Sequence, residues 1–282
     1  MDRIDLGSRT ARGGFANERE IVRKFNNWRE DEQAKEWLRI MGYELDKIKD
    51  VTAFHIPTRI STQEFRKYCI REEDFYNLAK FKKADAQVKL TIYIGNIVKI
   101  ENISIKKANS NSNYNQIDKR PVSAYKEMWH FDDDVELWLK LFTGEKIPKN
   151  HLYLLGNRKI RNLNERLYLE EMPPLIIHKI INFFSENKIL IVSDLLKGRG
   201  GLSADWILVT RYNTCDNTID WTLQDINTAM NFYGNGSVEI SPHGSLYIGK
   251  ITMQRKGGTP DPTSLQFKFS PCDLFELHAQ HG

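Results

Sequence analysis

The chain of 282 residues carries 41 Lys and Arg against 37 Asp and Glu, and its 40% of hydrophobic residues can fill the core of a globular protein. It has no apolar stretch of about 18 residues and no apolar run near its start, so neither a membrane span nor a signal peptide is predicted and a cytoplasmic protein is expected. The three cysteines lie far apart, which argues against a disulfide framework or a zinc ribbon, and the net charge of +4 only slightly favours polyanionic partners.

The N-terminal part is predicted to be helical. Apolar residues recur at helical spacing after Asn17: Ile21, Val22, Phe25 and Trp28. A second helix is predicted over EDEQAKEWLRIMG, where Gly42 ends it, and a third over residues 62–83, which mix basic residues with aromatic ones. Two alternating runs follow between residues 85 and 107 and are typical of strands.

The rest of the chain combines helices and strands. Helices are predicted over EMWHFDDDVELWLKLFTG, PPLIIHKIINFFSENK and WTLQDINTAMNFYG. Strands are predicted over KILIVSDLL and DWILVTRY, and the tail from residue 236 alternates between turns, as an antiparallel meander does. The predicted fold class is therefore α/β or α+β, with a central sheet, helices and a β-rich C-terminal part.

The two alternating runs form a predicted hairpin that carries the first candidate site. The two-residue loop Gly95–Asn96 predicts a register in which Asp85 faces Lys106 and Gln87 faces Ser104, with all four side chains on one face. The other face is apolar and predicted to be core: Ala86, Val88, Leu90, Ile92, Ile94, Ile97, Ile103 and Ile105. The simplest interpretation of Asp85 and Lys106 is a cross-strand ion pair on a solvated face, which contributes a fraction of a kcal/mol.

A functional interpretation of the same pair is hydrolysis of a phosphodiester. That reaction needs an acid to hold a divalent metal, here Asp85, and an ammonium to orient the attacking water or stabilise negative charge, here Lys106. A second acid is expected. Glu101 falls on the apolar face, whereas Glu18 shares the inward stripe of the first helix. Glu18 is equally well explained as a first-turn acid that the helix dipole favours.

Several segments in the same order resemble a known nuclease family. They are LGSRTARGGFANEREI, ADAQ with ISIKK, YNQIDK, EMWHFDDD, LLKGRGGLSADWILV and ITMQRKGG with SLQFKFSPCDLF. Together they resemble the MspI and HinP-one-I branch of type II restriction endonucleases, in the PD-(D/E)xK nuclease superfamily. The resemblance spans nearly the whole chain. It implies a central mixed sheet flanked by helices and Mg²⁺-dependent cleavage of double-stranded DNA at a short GC-rich palindrome, with GCGC as the leading expectation and a 5′ overhang.

The resemblance also assigns roles at the hairpin. Asp85 matches the metal-binding acid and Lys106 the catalytic lysine. Ser104 stands where relatives carry Gln or an acid, and its hydroxyl is a weak metal ligand. The Mg²⁺ shell is then expected to include Asp85, the backbone carbonyl of Ile105, water and Glu18. Gln87, predicted opposite Ser104, is a candidate for the missing amide.

Two segments are candidates for reading DNA. The first, SNSNYNQIDKR, is predicted to be a polar loop and contributes Tyr114, Asn115, Gln116 and Lys119. The second, QRKGG, contributes Gln254, Arg255, Lys256 and Gly257, with glycine allowing close approach to DNA. The resemblance implies that the ring of Tyr114 wedges between base pairs. The alternatives are an ordinary polar surface loop and a solvated hairpin end.

The resemblance implies one endonuclease domain over residues 1–282. Residues 1–150 are expected to carry the catalytic core and 151–282 a recognition subregion. Residues 62–83 look like an insertion whose basic side chains either follow flanking DNA or form a solvated helix face. The implied partners are double-stranded DNA and a cognate DNA methyltransferase in a prokaryotic cell, with the enzyme a monomer or weak dimer. The alternative function is a sequence-specific DNA-binding protein whose catalysis Ser104 has weakened or abolished.

Overall fold

The computed structural model describes residues 3–57, 60–61, 65–68, 72, 81–92, 97–108, 114–213, 217–241, 244–256 and 263–279. The strands are β1 (Ile48–His55), β2 (Ala86–Ile92), β3 (Ile97–Ala108), β4 (Asn115–Arg120), β5 (Trp206–Asn213), β6 (Thr218–Asp225), β7 (Val238–Ile240), β8 (Leu246–Ile248), β9 (Ile251–Arg255) and β10 (Leu265–Phe269). The helices are α1 (Arg3–Asn26), α2 (Glu32–Ile40), α3 (Val122–Trp129), α4 (Asp133–Thr143), α5 (Leu152–Leu155), α6 (Pro174–Glu186), α7 (Lys188–Leu196), α8 (Ile226–Gly234) and α9 (Phe275–Ala279). Within the described ranges, no helix is both long and apolar enough to cross a membrane.

The chain divides into two compact units that interleave along the sequence. The first contains Met1–Asn113, Leu196–Met230 and Ser270–Gly282, and the second contains Tyr114–Leu195 and Asn231–Phe269. From the sequence, the catalytic core and the recognition subregion are expected to meet near residue 150. Which stretch carries catalysis and which carries recognition stays a prediction.

The first unit is built on a mixed five-stranded sheet. Its strand order is β1-β2-β3-β5-β6, and β3 and β5 run parallel while the other neighbours are antiparallel. Helices α1 and α2 bury aromatic side chains such as Phe25 and Trp37 against Leu90 and Ile103 of the sheet. The rings of Phe25 and Trp37 lie 5.1 Å apart. This confirms the predicted fold class, a mixed sheet flanked by helices.

Asn26, the last residue of α1, ties that helix to the edge strand β1. Its Nδ2 donates to the carbonyl of Ala53 over 3.1 Å, and its Oδ1 accepts from the Ala53 N–H over 2.8 Å. The side chain therefore satisfies both polar groups that Ala53 turns away from the sheet. An edge strand covered in this way does not offer these groups to another chain.

Asn26→Ala is expected to lower the free energy of unfolding by about 1–3 kcal/mol, because it removes both hydrogen bonds and leaves the Ala53 groups without them. Denaturant unfolding measures the change. Asn27→Ala, at the exposed neighbouring residue, serves as the control. Equal midpoints for the two variants would contradict the role of Asn26.

The second unit contains an antiparallel sheet of order β4-β10-β9-β8-β7. Helices pack on it through a cluster of edge-to-face rings, in which the centroid of Trp129 lies 5.6 Å from that of Phe267 and 6.2 Å from that of Phe184. The indole N–H of Trp129 donates to buried Asp194 over 2.9 Å, so the polar atom of this ring is satisfied. The predicted meander of the tail is present as β7 to β10.

The hairpin of β2 and β3 forms, but its register differs from the prediction. Gln87 faces Asn102 instead of Ser104, so β3 is displaced by two residues. The loop Gly95–Asn96, on which the prediction rested, lies outside the described residues. A shift of two residues keeps every side chain on its predicted face, because the alternation of a strand has a period of two.

The prediction that the polar face of this hairpin is exposed to solvent is also wrong at the centre of the face. Gln87 is fully buried and Ser104 is 3% exposed. The apolar face is buried as predicted at Ala86, Val88, Leu90, Ile103 and Ile105, whereas Ile97 is exposed.

Several segments differ from their predicted secondary structure. Lys188–Leu196 is helix α7 and not a strand, because a short, continuously apolar run has no period that separates a strand from a buried helix. Trp221–Asp225 ends β6, so α8 begins only at Ile226. Asn115–Arg120 is strand β4 and not a loop, because its backbone pairs with β10. Of the helix predicted over residues 62–83, Phe65–Tyr68 forms a 3-10 turn and most of the rest lies outside the described residues.

Candidate active site

Asp85 occupies a backbone position that is fixed from both sides. It directly precedes β2, its N–H donates to the carbonyl of Ile103 over 2.8 Å, and its carbonyl accepts from the N–H of Ile56 over 2.9 Å. These bonds join it to β3 and to the end of β1. The carboxylate therefore projects from the interior of the sheet and not from a loose loop.

Three donors meet at one oxygen of this carboxylate. Oδ2 of Asp85 accepts from the N–H of Ile105 over 2.7 Å, from Nζ of Lys106 over 3.0 Å and from Oγ of Ser104 over 3.4 Å. The predicted pairing of Asp85 with Lys106 thus exists in spite of the changed register. The observed register, continued by one residue, puts Ser104 opposite Asp85. The long side chain of Lys106, two residues further along β3 on the same face, still reaches the carboxylate.

Gln87 lies next to this site but is hydrogen-bonded elsewhere. Its Nε2 donates to the carbonyl of Tyr68 over 3.0 Å and to Oδ1 of Asn102 over 3.1 Å. Its Oε1 is buried and has no hydrogen-bond partner among the described residues. That Gln87 replaces the amide missing at Ser104 stays a prediction.

The two candidate second acids are placed differently. Glu101 accepts hydrogen bonds from the hydroxyl of Tyr43 and, over 2.8 Å, from the indole N–H of Trp206, both of which pack against the apolar core. Glu18 instead lies in the electrostatic environment of Asp85. Burial raises the pKa of Glu18, and the negative charge of Asp85 raises it further.

His55 is a neighbour of Glu18 that no sequence motif singles out. Its Nε2 lies 2.8 Å from Oε2 of Glu18, and this hydrogen bond acts on the Glu18 pKa in the lowering direction. His55 ends strand β1, which had not been identified from the sequence. The alternating segment IKDVTAFH was the available signal.

Lys82 is a second cation near the site. Its Nζ donates to the carbonyl of Pro57 over 2.7 Å. Burial lowers the pKa of Lys82, and the negative charges of Asp85 and Glu18 act in the opposite direction. The sequence placed Lys82 among the basic residues of a helix face, so its proximity to the acid was not predicted. Two carboxylates and two ammonium groups therefore share this region.

The donor chemistry fits a single hard cation. Among the described residues, no three His, Cys, Asp or Glu side chains form a group spaced to hold a metal. Mg²⁺ usually takes one or two protein carboxylates and completes its shell with water and substrate phosphate. Asp85 and Glu18 are two carboxylates of this kind, and that they hold the ion together stays a prediction. Burial raises the pKa of Glu18, and the negative charge of Asp85 raises it further, an effect that a dication would relieve. The carbonyl of Ile105 as a third ligand stays a prediction.

The candidate recognition residues lie on adjacent strands of the second unit. In the register of β9, β10 and β4, Gln254 and Lys119 both face Gln266 of the middle strand. Nε2 of Gln266 donates to Oε1 of Gln116 over 2.6 Å. The pairing brings together residues from both predicted segments and adds Gln266, which lies in the alternating run LQFKF.

The remaining recognition candidates border these strands. Tyr114 precedes β4 and is 43% exposed, and Asn115 begins that strand. Arg255 ends β9, where burial lowers the pKa of its guanidinium and Glu165 lies 3.9 Å away. The N–H of Lys256 donates to the Ser264 carbonyl over 2.9 Å. Gly257 lies outside the described residues.

The sequence profile of the R.HinP1I restriction endonuclease family matches residues 76–275, which is more than half of the chain. The chain belongs to this family. Membership in the R.HinP1I restriction endonuclease family confirms the predicted resemblance and makes the protein a type II site-specific deoxyribonuclease. Asp85 and Lys106 lie within the matched stretch, whereas Glu18 and His55 lie before it.

A solved structure agrees with the fold. The restriction endonuclease MspI in complex with its cognate DNA superposes with a TM-score of 0.59 at 12% sequence identity, over 95% of this chain and 93% of that one. At this identity the similarity shows a common fold. No curated protein matches the chain.

Proposed function

We propose that the protein cleaves double-stranded DNA with Mg²⁺ at a short GC-rich palindrome, with GCGC as the leading candidate, and leaves 5′ overhangs. The observation that carries the proposal is the 3.0 Å contact between Lys106 and Asp85 on a carboxylate that the sheet fixes on both sides. In metal-assisted phosphodiester hydrolysis the acid holds the ion, and a neighbouring ammonium orients the water or stabilises the developing negative charge.

Asp85 and Glu18 would hold the Mg²⁺, together with the Ile105 carbonyl and water, and the ion would polarise the phosphate and lower the pKa of the attacking water. Ser104 adds a hydroxyl but no charge at the position where an acid is common in the superfamily. The negative charge of the site therefore depends on Asp85 and Glu18.

The chain's own cations act on the reacting phosphate. Lys106, held beside Asp85, orients the water and stabilises the charge that develops on the phosphoryl oxygens. Lys82 adds a second ammonium to the region, and its partial burial strengthens its attraction for an anion because the local dielectric constant is low.

Recognition is proposed for the strands β4, β10 and β9. Gln116, Lys119, Gln254 and Arg255 carry groups that pair with base edges or phosphates. Asn115, Lys256 and Gly257 complete the proposed contact set, with Tyr114 as the aromatic wedge. The side-chain carbonyl of Gln116 accepts the hydrogen bond from Gln266. The amide N–H₂ group of Gln116 therefore remains to donate to acceptors on guanine or adenine.

Gln266→Leu is expected to lower discrimination between the cognate site and sites with one changed base by roughly tenfold, because Gln116 loses the bond that orients it. Competition between cognate and altered duplexes, measured by cleavage rate, tests this expectation. Gln33→Leu makes the same chemical change in helix α2 of the first unit, which is not one of these strands, and serves as the control. Unchanged discrimination in Gln266→Leu would contradict the orienting role.

In the cell, we propose that the enzyme works in the prokaryotic cytoplasm beside a methyltransferase that protects host DNA. It acts as a monomer or a weak dimer on its palindrome.

The test of the function is incubation of purified protein with unmethylated plasmid in Mg²⁺ or in EDTA, followed by sequencing of the ends. Discrete Mg²⁺-dependent fragments with a common end sequence would support the proposal and identify the site. Intact plasmid with salt-sensitive, sequence-specific binding would replace it with the alternative, a DNA-binding protein whose catalysis Ser104 has weakened.

A further inference from the structure

We propose that His55 is a positioning residue that holds Glu18 as the second carboxylate of the metal site. The proposal rests on the proposed function, since it concerns the same Mg²⁺ site. The observation behind it is the 2.8 Å contact between Nε2 of His55 and Oε2 of Glu18.

The helix that carries Glu18 has a fixed position. Asn26 bonds to both polar groups of Ala53, and Oδ1 of Asn17 accepts from Oγ1 of Thr210 in β5 over 3.1 Å. Ile21, on the same stripe as Glu18, is 2% exposed. The backbone of α1 is therefore held at two strands, and only the side-chain torsions of Glu18 remain to be set.

His55 lies where it can set those torsions. It faces Ala86 in the register of β1 and β2, and the next residue, Ile56, donates its N–H to the carbonyl of Asp85. The pairing of β1 with β2 thus fixes the backbone positions of both His55 and Asp85. With the proton on Nε2, His55 donates to Oε2 of Glu18 and leaves Oε1 for a cation.

By itself, the contact between His55 and Glu18 contributes little to the free energy of unfolding. A partly exposed His and Glu contribute little as an ion pair. A cation held by Asp85 and Glu18 would give the contact a role, because the hydrogen bond from His55 orients the ligand, as outer partners of metal ligands do. Glu18 in this arrangement compensates for the hydroxyl at Ser104.

The test uses Mn²⁺ as the probe, titrated into the purified chain without DNA and followed by the loss of the free-ion electron paramagnetic resonance signal. His55→Phe keeps a ring but removes the donor, and His55→Ala is a second donor-free variant without a ring that could clash. His55→Gln restores an N–H donor. Thermal melting shows which variants are folded.

The donor-free variants are expected to bind Mn²⁺ at least about tenfold more weakly, and His55→Gln to recover most of the wild-type affinity. In cleavage assays, the Mg²⁺ concentration for half-maximal rate should rise while the rate at saturating Mg²⁺ changes less. Binding of the DNA site in EDTA should stay the same, which a general structural defect would not allow.

Asp85→Asn and Glu18→Gln are the reference variants. If both weaken Mn²⁺ binding while the folded donor-free His55 variants bind like the wild type, His55 has no positioning role. A loss that His55→Gln does not recover would overturn the hydrogen-bond explanation. If neither reference variant weakens Mn²⁺ binding, the metal site of the proposed function fails as well, so the two failures are distinguishable.

Discussion

Asp85→Asn is expected to lower the rate of DNA cleavage by about a thousandfold or more. A metal at the reacting phosphate contributes several kcal/mol of stabilisation to the transition state, and each 1.36 kcal/mol corresponds to about a factor of ten in rate. The amide carries no charge with which to hold Mg²⁺. Its oxygen still accepts from the N–H of Ile105, a bond of 2.7 Å in the wild type, so the sheet should remain intact. Single-turnover cleavage of a cognate duplex measures the effect.

Asp50→Asn is the matched control for this variant, because Asp50 is an exposed acid on β1 of the same sheet. It should cleave like the wild type. Specific binding in EDTA should survive in both variants, which separates chemistry from recognition. Cleavage by Asp85→Asn within a few-fold of the wild-type rate would remove Asp85 from the active site.

Lys106→Met is expected to slow the chemical step by about 100- to 1,000-fold, the usual effect of removing one group that stabilises developing charge. Methionine replaces the aliphatic part of the side chain but not the ammonium that lies 3.0 Å from Asp85. The single-turnover rate at saturating Mg²⁺ is the quantity to measure. The affinity for the DNA site should change far less than the rate, because one ammonium contributes little to an interface with many phosphate contacts.

Lys107→Met provides the control. Lys107 is the next residue of β3, its side chain is exposed, and the alternation of the strand turns it to the opposite face. If the two lysine variants lose activity equally, general charge and not the position of Lys106 would explain the loss.

The sequence alone determined which residues share a face. The alternation in β2 and β3 assigned Asp85 and Lys106 to one side of the hairpin, and the predicted register was then wrong by two residues. The assignment survived because a strand repeats every two residues. Helical spacing in α1 likewise directed Glu18 inward, toward the environment of Asp85.

Only the tertiary structure decided what lies next to these residues. The short polar residues of Asn115–Arg120 predict a loop, and the pairing with β10, which no local pattern specifies, makes the segment strand β4. A continuously apolar run has no period, so the sequence does not separate a strand from the helix α7 that forms at Lys188–Leu196.

His55, Lys82 and Gln266 reach their positions through contacts between segments distant in sequence. His55 meets Glu18 across 37 residues, and Gln266 meets Gln116 across 150. Local periodicity fixes the direction of a side chain relative to its own backbone, whereas contacts across such separations depend on how the whole chain packs. The sequence therefore determined the acid, the lysine and the face they share, and the packing of α1, β1 and β2 decided the residues that surround them.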